Sequence, residues 1–197
     1  MTSPLPEKKK PGPAKGSKKT HNGKGSAYEW RVARSLSKWL TNGEDDTQLV
    51  RSNMSGGNLR LRAPNAGRPE FQVGDISPNG PQGEWFRQRF GLECKNYGLD
   101  PDWWHCITYE NWVVEGWWKK ISAECFPFNL QPLLVMLRDS RPEVVMLDST
   151  LCRKLHVPWI SFPRMGTGVI TMKEFQSHAP LAWVQAAEEM KQKMVMK

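Results

Sequence analysis

Alternating apolar and polar positions predict a β-strand around residue 93. Phe90, Leu92 and Cys94 point to one side of this strand, whereas Glu93 and Lys95 point to the other side. A carboxylate and an ammonium group therefore leave the same face of the strand. The opposite, apolar face is expected to pack on a core.

The residues before this strand predict a hairpin. Residues 72–77 form a short strand pattern that contains Asp75, and residues 78–83 read Pro-Asn-Gly-Pro-Gln-Gly, which is typical of a turn. A returning strand over residues 85–95 would pair with the first strand in antiparallel fashion. That pairing would bring Asp75 beside Glu93.

Helical periodicity predicts three longer helices. The first is capped by Ser26 and spans residues 27–41, with Glu29 in line with its apolar stripe. The second spans residues 109–124 and has a tryptophan-rich stripe, and the third spans residues 182–193. Shorter elements are predicted at 48–52, 133–137, 143–147, 149–155 (a helix), 159–162 and 169–172. The mixture predicts an α/β fold with a mixed β-sheet flanked by helices.

Length and charge divide the chain into two parts. Its 197 residues fit one domain and a tail. Residues 1–25 are expected to form a flexible, disordered basic tail, and residues 26–197 a single domain with a tryptophan-rich insert and a C-terminal extension. Seven lysines and one glutamate among residues 1–26 supply six of the eight net positive charges. Such a tail either binds nucleic-acid phosphates or keeps the protein in solution.

The composition and spacing of residues argue against a membrane-spanning, secreted or zinc-binding protein. No apolar run approaches the ~18 residues of a membrane span, and the lysine-rich start lacks the apolar region of a signal peptide. The four cysteines include no C-x-x-C spacing. Reduced thiols in a cytoplasmic protein are therefore expected.

The candidate chemistry lies where the two predicted strands meet. Asp75 and Glu93 would form an oxygen site for a magnesium-type cation, which keeps several of its waters. Lys95 would hold or activate a water, and this set suits metal-assisted phosphodiester hydrolysis. Glu-x-Lys also begins at Glu7 and Glu189, but in a polar tail and in a helical pattern. The alternative is a solvated salt bridge on an exposed strand.

Two further features leave alternatives open. Glu29 is either a first-turn acid favoured by the helix dipole or a third acidic group aimed at Asp75 and Glu93. Arg51 and Ser55 lie beside two consecutive glycines, in a loop that can approach a backbone closely. They either contact phosphates or belong to an ordinary hairpin connection.

The order of these motifs resembles the PD-(D/E)XK nuclease superfamily. Glu29 on the first helix, Asp75 on the second strand and Glu93-Cys94-Lys95 on the third follow that superfamily's order. Within it, the pattern is most similar to archaeal-type Holliday junction resolvases and related phage endonucleases, which also carry an Arg-Ser…Ser-Gly-Gly segment. The matching residues of this segment are Arg51, Ser52, Ser55, Gly56 and Gly57. The resemblance spans roughly residues 24 to 97, and Gly74 stands where the superfamily's name has a proline.

This resemblance implies a restriction-endonuclease-like fold and a Mg²⁺-dependent DNA endonuclease, with Mn²⁺ able to substitute. Asp75 and Glu93 would hold the metal together with the backbone carbonyl of Cys94. Lys95 would position or deprotonate the attacking water, and Glu29 would act through water or a second metal. The residues expected to contact DNA are Arg51, Ser52, Ser55, Arg60, Arg62, Arg31, Lys119 and Lys120.

The function implied is that of a Holliday junction resolvase, which cuts branched DNA as a homodimer in recombination and repair. It would need no small-molecule cofactor and no membrane, and it would act in the cytoplasm of a prokaryotic cell or a phage-infected host cell. One alternative is a phage nuclease of the same fold that cuts linear or nicked DNA. The others are a non-cleaving DNA-binding protein on this fold and a basic virion protein.

Overall fold

The structure is a computed structural model that describes residues 22–52, 73–97, 113–138 and 141–195. Most of the predicted tail, the predicted DNA contacts Ser55, Arg60 and Arg62, and residues 98–112 of the tryptophan-rich insert lie outside these ranges. No described helix has the length and apolar character needed to cross a membrane.

Helices and strands are interspersed along the described part of the chain, and several strands follow one another directly. The helices are α1 (Asn22–Leu40), α2 (Pro81–Arg87), α3 (Val113–Cys125), α4 (Ser149–Leu155), α5 (Met172–Ser177) and α6 (Pro180–Val195). The strands are β1 (Leu49–Arg51), β2 (Ile76–Pro78), β3 (Phe90–Tyr97), β4 (Gln131–Arg138), β5 (Val144–Asp148), β6 (Ile160–Phe162) and β7 (Thr167–Thr171).

Five strands form the central mixed sheet in the order β3-β4-β5-β7-β6. β3 and β4 run parallel, and the remaining neighbours run antiparallel. β1 and β2 form a separate antiparallel pair. A parallel bridge between Gly74 and Leu92 joins the segment before β2 to β3. The predicted mixed α/β fold is confirmed.

Apolar side chains cover both faces of this sheet. One cluster packs α1 and α6 against Leu133 and Val135 of β4, and a second cluster packs α3 against Leu134 and Met136 of the same strand. The apolar residues of β3 belong to the first cluster. Because strand side chains alternate, the polar residues of β3 face the side on which α3 lies.

The predicted hairpin before β3 is wrong. The turn residues begin α2 instead, with Pro81 in the first turn, where its fixed φ and missing N–H are tolerated. Phe86 packs into the core, and a Cβ added to Gly83 would lie 1.9 Å from the carbonyl oxygen of Gln48. These long-range contacts select a helix where the local turn residues favoured a hairpin. The Asp75 segment consequently runs parallel to β3.

The predicted start of the first helix is wrong, and one short helix was not predicted. α1 begins at Asn22, so Ser26 lies inside the helix and is not its N-cap. Helix α5 was not predicted; its first turn is capped by the Thr171 side chain, which accepts a hydrogen bond from the Glu174 N–H at 3.0 Å. The short helix over residues 149–155 is confirmed as α4. The tryptophan-rich helix predicted over 109–124 is described from Val113 onward.

The three described cysteines are buried free thiols. Burial raises the pKa of Cys94 well above its usual value, that of Cys125 to about 12 and that of Cys152 to about 11. Reduced, unreactive thiols are therefore expected at these positions. Cys106 lies outside the described ranges.

Candidate active site

The alternation predicted for β3 sets the two faces of the site. Leu92 and Cys94 are buried on the α1 side, and Glu93 is also buried, with 2 % of its surface exposed. Gly91 opens the other face, where a Cβ would lie 2.3 Å from the Cys125 sulfur of α3. The Glu93 side chain therefore points towards α3 and is almost fully shielded from water.

Backbone contacts fix Asp75 beside this strand. Its N–H donates to the Leu92 carbonyl at 2.6 Å, and its own carbonyl accepts from the Ser52 N–H at 2.7 Å. Its Oδ2 accepts a hydrogen bond from the Cys94 N–H at 2.8 Å. Asp75 thus lies next to Glu93 as predicted, although the two segments run parallel.

Gly74 explains why the superfamily's proline is absent here. Its φ is +76°, and an added Cβ would lie 1.9 Å from the Leu92 carbonyl oxygen. Proline is fixed near −65° and cannot adopt this conformation. Glycine at this position lets the Asp75 segment lie flush against β3.

Two lysines contact the same oxygen of Glu93. Lys95 Nζ lies 2.5 Å from Glu93 Oε1, and Lys120 Nζ of α3 lies 3.0 Å from it. Lys120 also lies 3.8 Å from Glu124. Burial lowers the pKa of Lys120, but the Glu93 carboxylate outweighs it, so the pKa is raised overall and the ammonium group stays charged.

The pairing of Lys120 with Glu93 could not be found from sequence. The family resemblance implies that Lys120 contacts DNA, and helical periodicity places it outside the apolar stripe of the helix. Periodicity does not show which strand α3 covers. That information needs the tertiary structure, because the two residues are 27 positions apart.

The carboxylates of Asp75 and Glu93 are both buried, so they repel each other with little screening by water. Burial and the neighbouring Glu93 raise the pKa of Asp75 to about 6, although the Cys94 N–H and Lys95 act in the opposite direction. A divalent cation between the two groups would relieve this repulsion, so the donor set fits a hard metal ion. Among the described residues, no three metal-ligating side chains come together as a group. Backbone carbonyl and water oxygens would therefore complete the coordination shell.

Glu29 lies at the edge of this cluster and is paired with Arg51. Arg51 Nε donates to Glu29 Oε2, and both side chains are largely covered. Since α1 begins at Asn22 and has no acidic residue in its first turn, the helix-dipole explanation of Glu29 is wrong. Glu29 is close enough to Asp75 to contribute to its raised pKa.

The other described residues that were predicted to contact DNA do not contact Glu93. Two of them form ion pairs elsewhere, and the third is buried. Arg31 lies 3.4 Å from Glu143 and stacks over the ring of Tyr28 at 5.1 Å. Lys119 lies 2.9 Å from Glu115 with 73 % of its side chain exposed. Ser52 is buried, and its backbone N–H is the group that holds Asp75.

Residues 20–186 match the family described as "Phage putative PDDEXK endonuclease". The chain belongs to this family. No curated protein and no solved structure matches the chain.

Membership confirms the predicted relationship to the PD-(D/E)XK superfamily and to phage endonucleases. The family match continues to residue 186, well beyond the region near residue 97 where the recognisable motifs end. The family match therefore also covers most of the C-terminal part of the chain. A nuclease of this superfamily has DNA as its substrate and in general uses a divalent metal.

Proposed function

We propose that the protein is a divalent-metal endodeoxyribonuclease whose metal is held by Asp75, Glu93 and the backbone carbonyl of Cys94. The observation that carries this proposal is the buried carboxylate pair on adjacent parallel segments, with Lys95 in contact with Glu93. Bound Mg²⁺ or Mn²⁺ would polarise the scissile phosphate and lower the pKa of a bound water.

Lys95 is proposed to orient the attacking water and to offset the charge that develops on the phosphate. Its ammonium group lies within hydrogen-bond distance of Glu93, so it is close to the proposed metal position. Lys120 approaches the same oxygen from α3 and has 53 % of its side chain exposed, which leaves it within reach of a phosphate.

Arg51 is proposed to bind a phosphate next to the cleaved bond, with Glu29 holding its guanidinium in place. Their ion pair supports this arrangement, because an oriented guanidinium binds phosphate with less loss of side-chain entropy. In this proposal Glu29 acts on the site through Arg51 or through a bound water. Arg31, Lys119, Ser55, Arg60 and Arg62 are proposed as further contacts along the DNA backbone. Ser52 is buried, so it is proposed to support the site through the hydrogen bond from its N–H to the Asp75 carbonyl.

For the substrate, we propose branched DNA cut by a homodimer, in the manner of a Holliday junction resolvase. The support is the resemblance of the motifs over residues 24–97 to junction resolvases. Symmetric cutting of a four-way junction needs two sites, which a two-fold dimer supplies. The specific alternative is a phage nuclease that cuts linear or nicked DNA in the cytoplasm of an infected cell.

The test is cleavage of a synthetic four-way junction and of a duplex of matching sequence, in Mg²⁺ at low salt. Wild-type protein is compared with Glu93→Gln and with Glu189→Gln, the same substitution at a carboxylate on the surface beside Lys154. Paired symmetric nicks in the junction, retained in Glu189→Gln and absent in Glu93→Gln, are expected.

Other outcomes would change particular parts of the proposal. Equal cutting of junction and duplex would keep the nuclease site and remove the junction preference. Tight DNA binding in EDTA with no cleavage in Mg²⁺ or Mn²⁺ would indicate a DNA-binding protein that has kept the fold without the activity.

A further inference from the structure

Arg87 is a fully buried arginine at the end of α2. Within the described ranges, no carboxylate lies at ion-pair distance from its guanidinium, and its Nε has no hydrogen-bond partner. Burial lowers the pKa of Arg87 to about 10, so the group remains charged at neutral pH. A buried charge without a counter-ion destabilises a fold unless its hydrogen bonds are satisfied in another way.

The hydrogen bonds of Arg87 go to two backbone carbonyls. Nη2 donates to the carbonyl of Val73 at 2.5 Å, and Nη1 donates to the carbonyl of Phe90. Val73 precedes Asp75 by two residues, and Phe90 precedes Glu93 by three. One rigid planar fork therefore joins the two backbone segments that carry the carboxylates.

The Arg87 link lies where β3 has little backbone pairing with the Asp75 segment. β3 and β4 pair over their whole length, from Phe90 and Gln131 to Tyr97 and Arg138. By contrast, the described part of the Asp75 segment pairs with β3 through one bridge, between Gly74 and Leu92. Besides this bridge, Asp75 bonds to β3 through its own N–H and its carboxylate. The Arg87 fork is a separate link, which reaches the segment two residues before Asp75.

We propose that Arg87 is a positioning residue of the nuclease site, whose guanidinium sets the separation of Asp75 and Glu93 by holding the Val73 and Phe90 carbonyls. The inference rests on the function proposed above, because it concerns the same carboxylate pair. A shift of about 1 Å in a reacting group can lower a rate about a hundredfold, so this link acts on catalysis without touching the substrate.

The test compares Arg87→Lys with Arg89→Lys. Lysine keeps the charge but cannot reach both carbonyls with a fixed fork. Arg89 lies two residues further on and pairs with Glu188 near the surface, which makes it a matched control. Three quantities are measured on folded protein: Mn²⁺ affinity by electron paramagnetic resonance, and kcat and KM on the preferred DNA substrate.

For Arg87→Lys we expect kcat to fall about 10- to 100-fold and Mn²⁺ affinity to fall about tenfold. KM for DNA should stay within about twofold, because a fully buried side chain cannot contact DNA. Arg89→Lys should match wild type in all three quantities. A merely structural role would lower the melting temperature of Arg87→Lys but leave Mn²⁺ affinity and kcat of the folded fraction unchanged, and that result would overturn the proposal.

Two further controls keep the test decisive. If Arg87→Lys does not fold, Arg87→Gln replaces it, because a glutamine amide donates hydrogen bonds without a buried charge; failure of both variants to fold would assign Arg87 a purely structural role and overturn the proposal. If wild-type protein binds Mn²⁺ through Asp75 and Glu93 but cleaves no DNA, the proposed function fails. The Mn²⁺ affinities would then still decide whether Arg87 positions the pair.

Discussion

At the scale of single residues, the raised pKa of Asp75 links the site to the stability of the protein. Its pKa rises from 3.8 to about 6 on folding, so the folded state holds this proton more tightly than the unfolded state. Stability from this group is therefore highest below about pH 4, falls as the pH rises towards 6, and stays low above that. The charged pair is a local instability that a bound cation would relieve.

The substitution Asp75→Asn should consequently stabilise the metal-free protein. We expect a gain of about 2 kcal/mol in the free energy of unfolding at pH 7.5 and little gain at pH 4, because the repulsion exists only when Asp75 is ionised. Urea unfolding of wild type and variant at both pH values measures the difference. Mg²⁺ should then stabilise wild type and leave Asp75→Asn unaffected; a variant less stable than wild type at pH 7.5 would contradict this account.

The two neighbouring lysines of α3 should have different kinetic roles. Lys120 contacts Glu93, whereas Lys119 pairs with Glu115 at the surface. We expect Lys120→Met to lower kcat at least tenfold, and Lys119→Met to raise KM for DNA a few-fold with kcat unchanged, since removal of a phosphate contact weakens binding. Steady-state kinetics of both variants test this, with Lys154→Met as an inert surface control. Equal effects of the two α3 substitutions on kcat would argue against a special place for Lys120.

At the scale of elements, the decisive contact is the close approach of the Asp75 segment to β3. Local turn residues predicted a hairpin, but α2 is inserted and turns the segment parallel to β3. A β-turn signal is read over four residues, whereas the packing of α2 on Gln48 and the core acts over more than thirty. Tertiary packing therefore overrode the local preference.

Gly74→Ala should disrupt this approach. The new Cβ would collide with the Leu92 carbonyl, and φ of +76° is unfavourable for alanine. We expect a loss of about 2 kcal/mol or more in unfolding free energy, and loss of DNA cleavage. Chemical denaturation and the cleavage assay give the two readouts.

Gly116→Ala is the matched control for this substitution. Gly116 lies in α3, and a Cβ added there meets nothing within 4 Å. Alanine inside a helix should stabilise the protein by about 0.5–1 kcal/mol and leave cleavage intact. If both glycine substitutions had the same effect on cleavage, the close approach at Gly74 would not be what matters.

At the scale of the whole molecule, the basic N-terminal segment and the candidate active site lie in different parts of the chain. Residues 1–21 contain six lysines and one glutamate, and they precede the first residue of α1. The candidate active site is built entirely from residues 29–120. Deletion of residues 1–21 should therefore affect DNA affinity and leave the cleavage chemistry unchanged.

We expect this deletion to weaken DNA binding several-fold at physiological salt and to make the dependence of affinity on salt less steep, because fewer counter-ions are released. Metal-dependent cleavage at low salt should persist. Fluorescence anisotropy over a series of salt concentrations measures the effect. A full-length variant with the six lysines replaced by glutamine should behave like the deletion; unchanged affinity in both would show that the basic segment does not bind DNA.

The sequence alone determined the features that depend on neighbouring residues. The alternation through Glu93 and Lys95 identified the polar face of β3, and the bounds of α4 followed from a local helical pattern. It also indicated that Asp75 belongs beside Glu93, although through an antiparallel hairpin that the structure replaces with a parallel bridge.

The tertiary structure decided which distant groups meet. The partner of Glu93 on α3, the Glu29–Arg51 pair and the backbone carbonyls held by Arg87 all join residues whose separation no periodic pattern encodes. Periodicity shows which face of an element is buried, but the neighbour on that face depends on how the elements pack. For this reason the residues of the candidate site could be proposed from the sequence, whereas the contacts that hold them in place could not.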